Sequence, residues 1–293
     1  MKDLLLLLQA GLLFLAQVRA HGGIYNYTID GVDYAGHYPW AAEEGQQSIQ
    51  RRWWPDPIYG VRHPYLACNR GNPLATLLPT MHAPVRAGST VTVGYIAPEC
   101  PLNAINPTTP SVPGDPPQPM SCHGPTYTWV HAAGPLLAYM AACNGPCDKF
   151  QPEGEKVWFK IYETALVPEE ERVGMAISSS LAWHQYKMIL QDGRWDLTTP
   201  RNLKAGNYLL RHEIIMIGSS EPVQMYPHCA QLTVTGGGDR LPPVGSDYLV
   251  AFPGAYSEKD TGIAIAKDIY HVAVGHVTYN YTIPGPKLWT GEE

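Results

Sequence analysis

The residue with the most distinctive chemistry in this sequence is His21. The segment before it carries Lys2, an apolar run from Leu4 to Ala16, and the small residues Val18 and Ala20 at the two positions a signal peptidase reads. Residues 1–20 are therefore expected to be a secretory signal, and cleavage after Ala20 makes His21 the amino terminus. A histidine there carries an α-amino nitrogen and a ring nitrogen on one residue, close enough to chelate a single metal ion. No internal histidine offers that pair. A second spacing that matters is Gln224-Met225-Tyr226. In extended backbone alternate side chains share a face, so Gln224 and Tyr226 point to one site. A third is the aperiodic stretch 37–66, which holds Trp40, Trp53, Trp54, Tyr59 and Tyr65 among prolines and charges. Exposed aromatics of this kind stack on flat apolar faces such as sugar rings, while the others pack beneath the loop.

The elements that must position these residues read as strands. Ile24, Tyr25, Tyr27 and Ile29 suggest a strand that runs into the turn Asp30-Gly31, and Thr90 to Ile96, Leu136 to Ala142, Val157 to Tyr162, Asn207 to Ile217 and Cys229 to Thr235 follow. The stretch 169–190 has room for a helix or two, and 97–125 is a long loop rich in Pro, Ser, Asn and Thr. With 28 Gly and 28 Pro punctuating a chain that is 45% hydrophobic and 16% charged, the expected fold is all-β: an immunoglobulin-like or fibronectin-like β-sandwich with long loops and a few short helices. Residues 21–293 fit one domain, with a C-terminal extension after about residue 268.

The formal net charge is −6, and no basic cluster exceeds Arg51-Arg52, which argues against nucleic acid as a partner. Past the leader no apolar run reaches membrane-spanning length, so a soluble, secreted, extracellular protein is expected. Six cysteines in a secreted chain imply three disulfides out of fifteen possible connectivities. Cys143 and Cys147 flank the turn Asn-Gly-Pro, and Cys100 and Cys122 bracket the Pro-rich loop, which leaves Cys68 with Cys229. No finger-like spacing of further cysteines or histidines supports Cys143 and Cys147 as metal ligands. Asn26-Tyr27-Thr28 and Asn280-Tyr281-Thr282 are glycosylation sequons.

Four separated motifs fall in one order: His21-Gly22-Gly23-Ile24; Trp129-Val130-His131-Ala132-Ala133-Gly134-Pro135; Gly206-Asn207-Tyr208-Leu209-Leu210-Arg211-His212-Glu213-Ile214-Ile215; and Gln224-Met225-Tyr226-Pro227-His228-Cys229. This order resembles auxiliary activity family 9 of the fungal lytic polysaccharide monooxygenases, formerly glycoside hydrolase family 61, over residues 21 to about 268. The resemblance implies one copper ion in a histidine brace. His21 supplies its amine and a ring nitrogen, His131 a third nitrogen, and Tyr226 lies on the axial side. Imidazole and amine nitrogens suit Cu(II). Gln224 is then placed to hydrogen-bond an oxygen species at the metal, and Tyr256, in Pro253-Gly254-Ala255-Tyr256, joins Tyr59 as a stacking residue for substrate.

What the resemblance implies about activity is oxidative cleavage of a β-1,4-glucan such as cellulose at C1 or C4, with O2 or H2O2 and an external electron donor, by a monomer. The alternative is a brace protein that binds copper or polysaccharide with little catalysis. The sequence departs from the family's pattern at Gly218, where a histidine usually follows the Arg-His-Glu motif, and in the length of segment 98–125. His131 is one of eleven histidines, and it is chosen by its motif over its neighbours in sequence, His123 and His228. His212, which alternation places with Tyr208, Leu210, Ile214 and Met216, reads as a packed histidine. Arg211 and Glu213 fall on the opposite face and are expected to pair there.

Overall fold

The computed structural model describes residues 22–41, 44–69, 77–100, 128–168, 171, 182–217, 223–265 and 281–292. His21, the leader, Cys122, His123, Gly218 and Asn280 lie outside the described residues.

Ten strands and one short α-helix are found among the described residues. The strands are β1 (Asn26–Ile29), β2 (Val32–Ala35), β3 (Ile58–Tyr59), β4 (Ala83–Arg86), β5 (Thr90–Gly94), β6 (Leu136–Ala142), β7 (Phe159–Thr164), β8 (Arg194–Thr198), β9 (Gly206–Met216) and β10 (Gln224–Thr235), and the helix is α1 (His184–Leu190). The expected Asp30-Gly31 turn joins β1 to β2 with both central residues at positive φ, 48° and 77°. That backbone matches the twist of a two-residue hairpin.

One sheet has the order β2-β1-β5-β8. The second runs β3-β10-β9-β6-β7, with β4 also paired to β10. β3 pairs with β10 at Gln224 and Met225, and β4 lies parallel to it from Leu232 to Thr235. The two sheets close on a core that includes Tyr27, Val91, Val93, Leu136, Leu210, Ile214, Tyr226 and Leu232. This is the β-sandwich expected from the alternation.

The larger sheet is buried on its other face as well, and alternation alone did not reveal that. Leu137, Tyr139, Leu209, Ile215, Met225 and Cys229 pack there against residues 58–68 and the segment around Phe252. The polar members of that face are therefore held inside the protein. Arg211 and Glu213, both fully buried, form a two-point ion pair at 2.7 and 2.8 Å, and Arg211 also donates to the carbonyls of Leu66 and Ala67 at 2.7 and 2.8 Å. The Arg211 guanidinium stacks over the Phe252 ring at 3.8 Å. Burying such a pair costs desolvation that only this density of partners offsets.

Cys143 bonds Cys147, as the turn between them suggested, and Cys68 bonds Cys229, the pair that remained. Cys100 is also disulfide-bonded; its expected partner, Cys122, lies outside the described residues. Residues 281–292 pack onto the same body. The N–H of Trp289 donates to the Lys160 carbonyl at 2.8 Å, and Trp289 is buried against Phe159 in the inter-sheet core. Lys160, also buried, donates to the carbonyl of Pro284 and to Glu163, each at 2.8 Å.

Candidate metal centre

The site forms at the start of β10, where Gln224 and Tyr226 do share a face. The Tyr226 hydroxyl donates to Gln224 Oε1 at 2.7 Å and lies 3.1 Å from His131 Nε2. Its proton is thereby committed to the amide oxygen. Gln224 Nε2 in turn reaches the Tyr59 hydroxyl at 3.5 Å, at the long limit for such a bond. Tyr59, His131, Gln224 and Tyr226, separated by up to 167 positions in sequence, are thus brought into one row.

His131 reaches this point because its loop is fastened to the end of β9. The N–H of Ile217 donates to the Ala133 carbonyl at 3.1 Å, and the N–H of Ile215 donates to the Pro135 carbonyl at 3.2 Å. Gly134 has φ +124°, and a Cβ there would overlap the Ile215 carbonyl oxygen and lie 2.8 Å from Gln185 Nε2. Only glycine permits this close approach. Trp129 packs edge-on against His131 and Tyr226, with ring centroids 5.2 and 4.9 Å away, and holds both rings in place. Gln185, fully buried on α1, accepts from the Trp129 indole N–H at 3.4 Å and donates to the Ile215 carbonyl at 3.0 Å. Sequence reasoning assigned Trp129 and Gln185 no role. Trp129 sat beside His131 in the motif, but Gln185 lies in a stretch whose sequence had no clear period.

The competing histidines separate by burial. His212 is fully buried on the inter-sheet face, edge-on to Trp195 at 4.9 Å, and burial lowers its pKa from 6.5 to about 3. It is the packed histidine that alternation suggested. His228 is also fully buried, with its pKa lowered to about 3 for the same reason. Its ring faces Trp53 and Gly23 rather than His131.

Among the aromatics, Trp40, Trp53, Trp54 and Tyr65 are core residues, and Tyr59 alone of the five is exposed, at 42%. Burial, then nearby Asp56, raises the Tyr59 pKa, so its hydroxyl stays protonated at neutral pH. Tyr256 departs from expectation. It is 5% exposed, its hydroxyl donates to Glu213 and lies 2.9 Å from the Tyr139 hydroxyl, and its ring packs on Phe252. A ring held in this way offers no face to a sugar, so Tyr256 is a structural residue and not a stacking platform.

Among the described residues no group of three His, Cys, Asp or Glu side chains is gathered to hold a metal. The described chain nevertheless begins beside the row. Gly22 and Gly23 are buried, and a Cβ on Gly23 would overlap Nε2 of His228, two residues along β10 from Tyr226.

The profile of Auxiliary Activity family 9, formerly GH61, matches residues 21–279. The chain belongs to Auxiliary Activity family 9. This family consists of copper-dependent lytic polysaccharide monooxygenases, so the chain is an oxidoreductase of polysaccharide breakdown. Among its relatives, AA9 family lytic polysaccharide monooxygenase B of Heterobasidion irregulare is 35% identical over 278 residues, 94% of each chain. The AA9 family lytic polysaccharide monooxygenase-like protein CEL1 of Agaricus bisporus is 35% identical over 94% of this chain and 73% of its own length. Of solved structures, that of HiLPMO9B superposes with a TM-score of 0.70 at 33% identity, covering 92% of this chain and all of that one. A cellulose-active polysaccharide monooxygenase from M. thermophila superposes at 0.66 with 27% identity, over 92% of this chain and all of that one.

Proposed function

We propose that this protein is secreted through residues 1–20 and, once trimmed to His21, binds one copper ion and cleaves a β-1,4-glucan such as cellulose at C1 or C4. The observation that carries the reading is the row His131–Tyr226–Gln224 at the start of β10, with the buried Gly22-Gly23 segment running up beside it. His21 precedes Gly22 by one Cα step of about 3.8 Å. The family match begins at His21 itself, and one of the similar structures is named as cellulose-active.

The donor set fits copper. His131 Nε2 and the Tyr226 oxygen converge on one place, and His21 would add an amine and a ring nitrogen, a nitrogen-rich set of the kind Cu(II) prefers. His21 and His131 would hold the metal, with Tyr226 beside it. Bound copper, fed by an external electron donor, supplies the one-electron chemistry with O2 or H2O2 that amino-acid side chains lack. The protein's own residues do the rest. Trp129 and the Gly134 turn fix the His131 ring, Tyr226 holds Gln224 by its donated proton, and Gln224 keeps one further amide N–H beside the site. Tyr59 offers an exposed ring for a sugar face. Asn26, exposed on β1, and Asn280 are the glycan acceptors.

The deciding experiment incubates the mature monomer with cellulose, copper and ascorbate, with and without O2, and reads soluble products by mass spectrometry. Oxidised oligosaccharides that need oxygen support the proposal. Unoxidised products would mean hydrolysis by paired carboxylates. No products with tight copper binding would mean a binding protein, the reading that Gly218 favours.

A further inference from the structure

His228 is not accounted for by the row of residues just described. It is fully buried on the same face of β10 as Tyr226, two residues further along. Its Nδ1 lies 3.1 Å from the Tyr226 carbonyl oxygen, which can only accept, so Nδ1 carries the ring's proton and Nε2 is left with a lone pair. That nitrogen faces the backbone at Gly23, and no hydrogen-bond partner for it is found among the described residues. The other wall of the passage is Trp53. Its ring stands edge-on to His228 at 5.0 Å, and two of its ring carbons would lie 2.6 and 2.8 Å from a Cβ on Gly23. Trp53 is itself pinned, because its indole N–H donates to the His37 carbonyl at 2.8 Å. Two residues on, the N–H of Tyr25 donates to the Gly94 carbonyl at 2.9 Å, and the Tyr25 ring packs edge-on against Trp53 at 5.2 Å.

The chain's start is thus caught between two buried rings at a position where any side chain would collide with one of them. We propose that His228 is a positioning residue: with Trp53 it clamps Gly23, and so fixes where the amine of His21 emerges beside His131 and Tyr226. The inference rests on the copper reading for its purpose but not for its geometry. From Gly23 the His21 Cα is two steps of about 3.8 Å away, and His228 is about 7 Å along the strand from Tyr226. The clamp therefore lies within two residues of both halves of the site. A ligand's supporting contacts of this kind typically change metal affinity by about 10- to 100-fold when removed.

The test uses mature protein with a free amino terminus and two variants, His228→Ser, which empties one wall, and Gly23→Ala, which disturbs the clamp while leaving both rings. Near-native circular dichroism is required of each. Two quantities are read: hydrogen exchange of the metal-free amino-terminal peptide by mass spectrometry, and the copper dissociation constant by competition titration. Faster exchange at residues 22–25, with copper bound about 10-fold or more weaker and an unchanged count of nitrogen couplings in electron paramagnetic resonance, supports the clamp. A residue that serves packing alone would lower the melting temperature while leaving exchange of that peptide and copper affinity within twofold of wild type, and that result in the folded variants overturns the proposal. If one variant does not fold, the other decides. If wild-type protein binds no copper, the copper reading fails, and the clamp then stands or falls on the exchange measurement alone.

Discussion

Replacing Gly134 by Ala puts the local account of the site to a quantitative test. The backbone there has φ +124°, where an alanine is strained by about 1–3 kcal/mol. The added Cβ overlaps the Ile215 carbonyl oxygen and crowds Gln185 Nε2 at 2.8 Å. Relieving such overlap in a packed region costs typically about 1–3 kcal/mol. Together these give a loss of roughly 2–6 kcal/mol, or a melting temperature lower by roughly 5–20 °C in a domain of this size. The relief has one obvious direction. The loop must lift from β9, stretching the bonds from Ile217 N–H to Ala133 and from Ile215 N–H to Pro135, and His131 is only three residues away. Copper affinity should fall by about 10- to 100-fold as well. Calorimetry of the metal-free protein and a copper titration read the two effects. Gly145→Ala serves as the control, since a Cβ there meets nothing within 4 Å and its φ is not positive; it should stay within about 0.5 kcal/mol of wild type. If Gly134→Ala melted within 2 °C of the control and bound copper equally well (thresholds of about one-third of the smallest expected change), close approach to β9 would not be what selects glycine at this position.

Tyr256→Phe removes the hydroxyl that donates to buried Glu213 and should cost about 1–3 kcal/mol in urea unfolding while leaving cellulose binding unchanged; weaker binding without loss of stability would restore Tyr256 to the substrate surface. Acid should destabilise the fold through His37 and His212. Burial lowers both pKa values from 6.5 to about 3, with Arg52 adding to the effect on His37 and His228 to that on His212. The unfolded chain therefore takes up these protons first. The stabilisation is complete above pH 6.5 and is lost as pH falls toward 3, by up to about 1.4 kcal/mol per pH unit for each histidine. An unfolding midpoint in urea that did not change between pH 7 and pH 4.5 would contradict neutral burial of the two rings. Gly218→His should raise the rate of oxidised-product formation at equal copper loading, since a positioned proton donor contributes about 10²- to 10⁴-fold; an unchanged rate would mean that another group already fills that role.

Much of this architecture was legible because the sequence states it locally. Period-two alternation marks β5, β9 and β10, the Asp30-Gly31 pair marks the hairpin, and Cys143-Asn-Gly-Pro-Cys147 marks its own disulfide. β4 and β8 escaped notice because each is short and its partners, β10 and β5, are distant in sequence. Alternation also says which residues share a face, but not what covers the second face. Arg211 and Glu213 were therefore readable only as a pair on one face and Tyr256 as a residue of the substrate surface, when a second core buries all three. The site divides in the same way. Gln224 and Tyr226 declare their common face by spacing, and Tyr59 stood out only as one of several aromatics. The support given by Gln185 and the Gly23 passage between His228 and Trp53 depend on contacts across the fold that no local pattern encodes.

The central claim is that the amine of His21 is part of the metal site, and copper titration of two otherwise identical proteins tests it most directly. One begins at His21, verified by intact mass; the other carries a single extra residue before it. The account predicts one copper per chain for the first and an affinity lower by orders of magnitude for the second, because the added residue turns the amine into an amide that no longer offers its lone pair. Equal affinity in both proteins would contradict it.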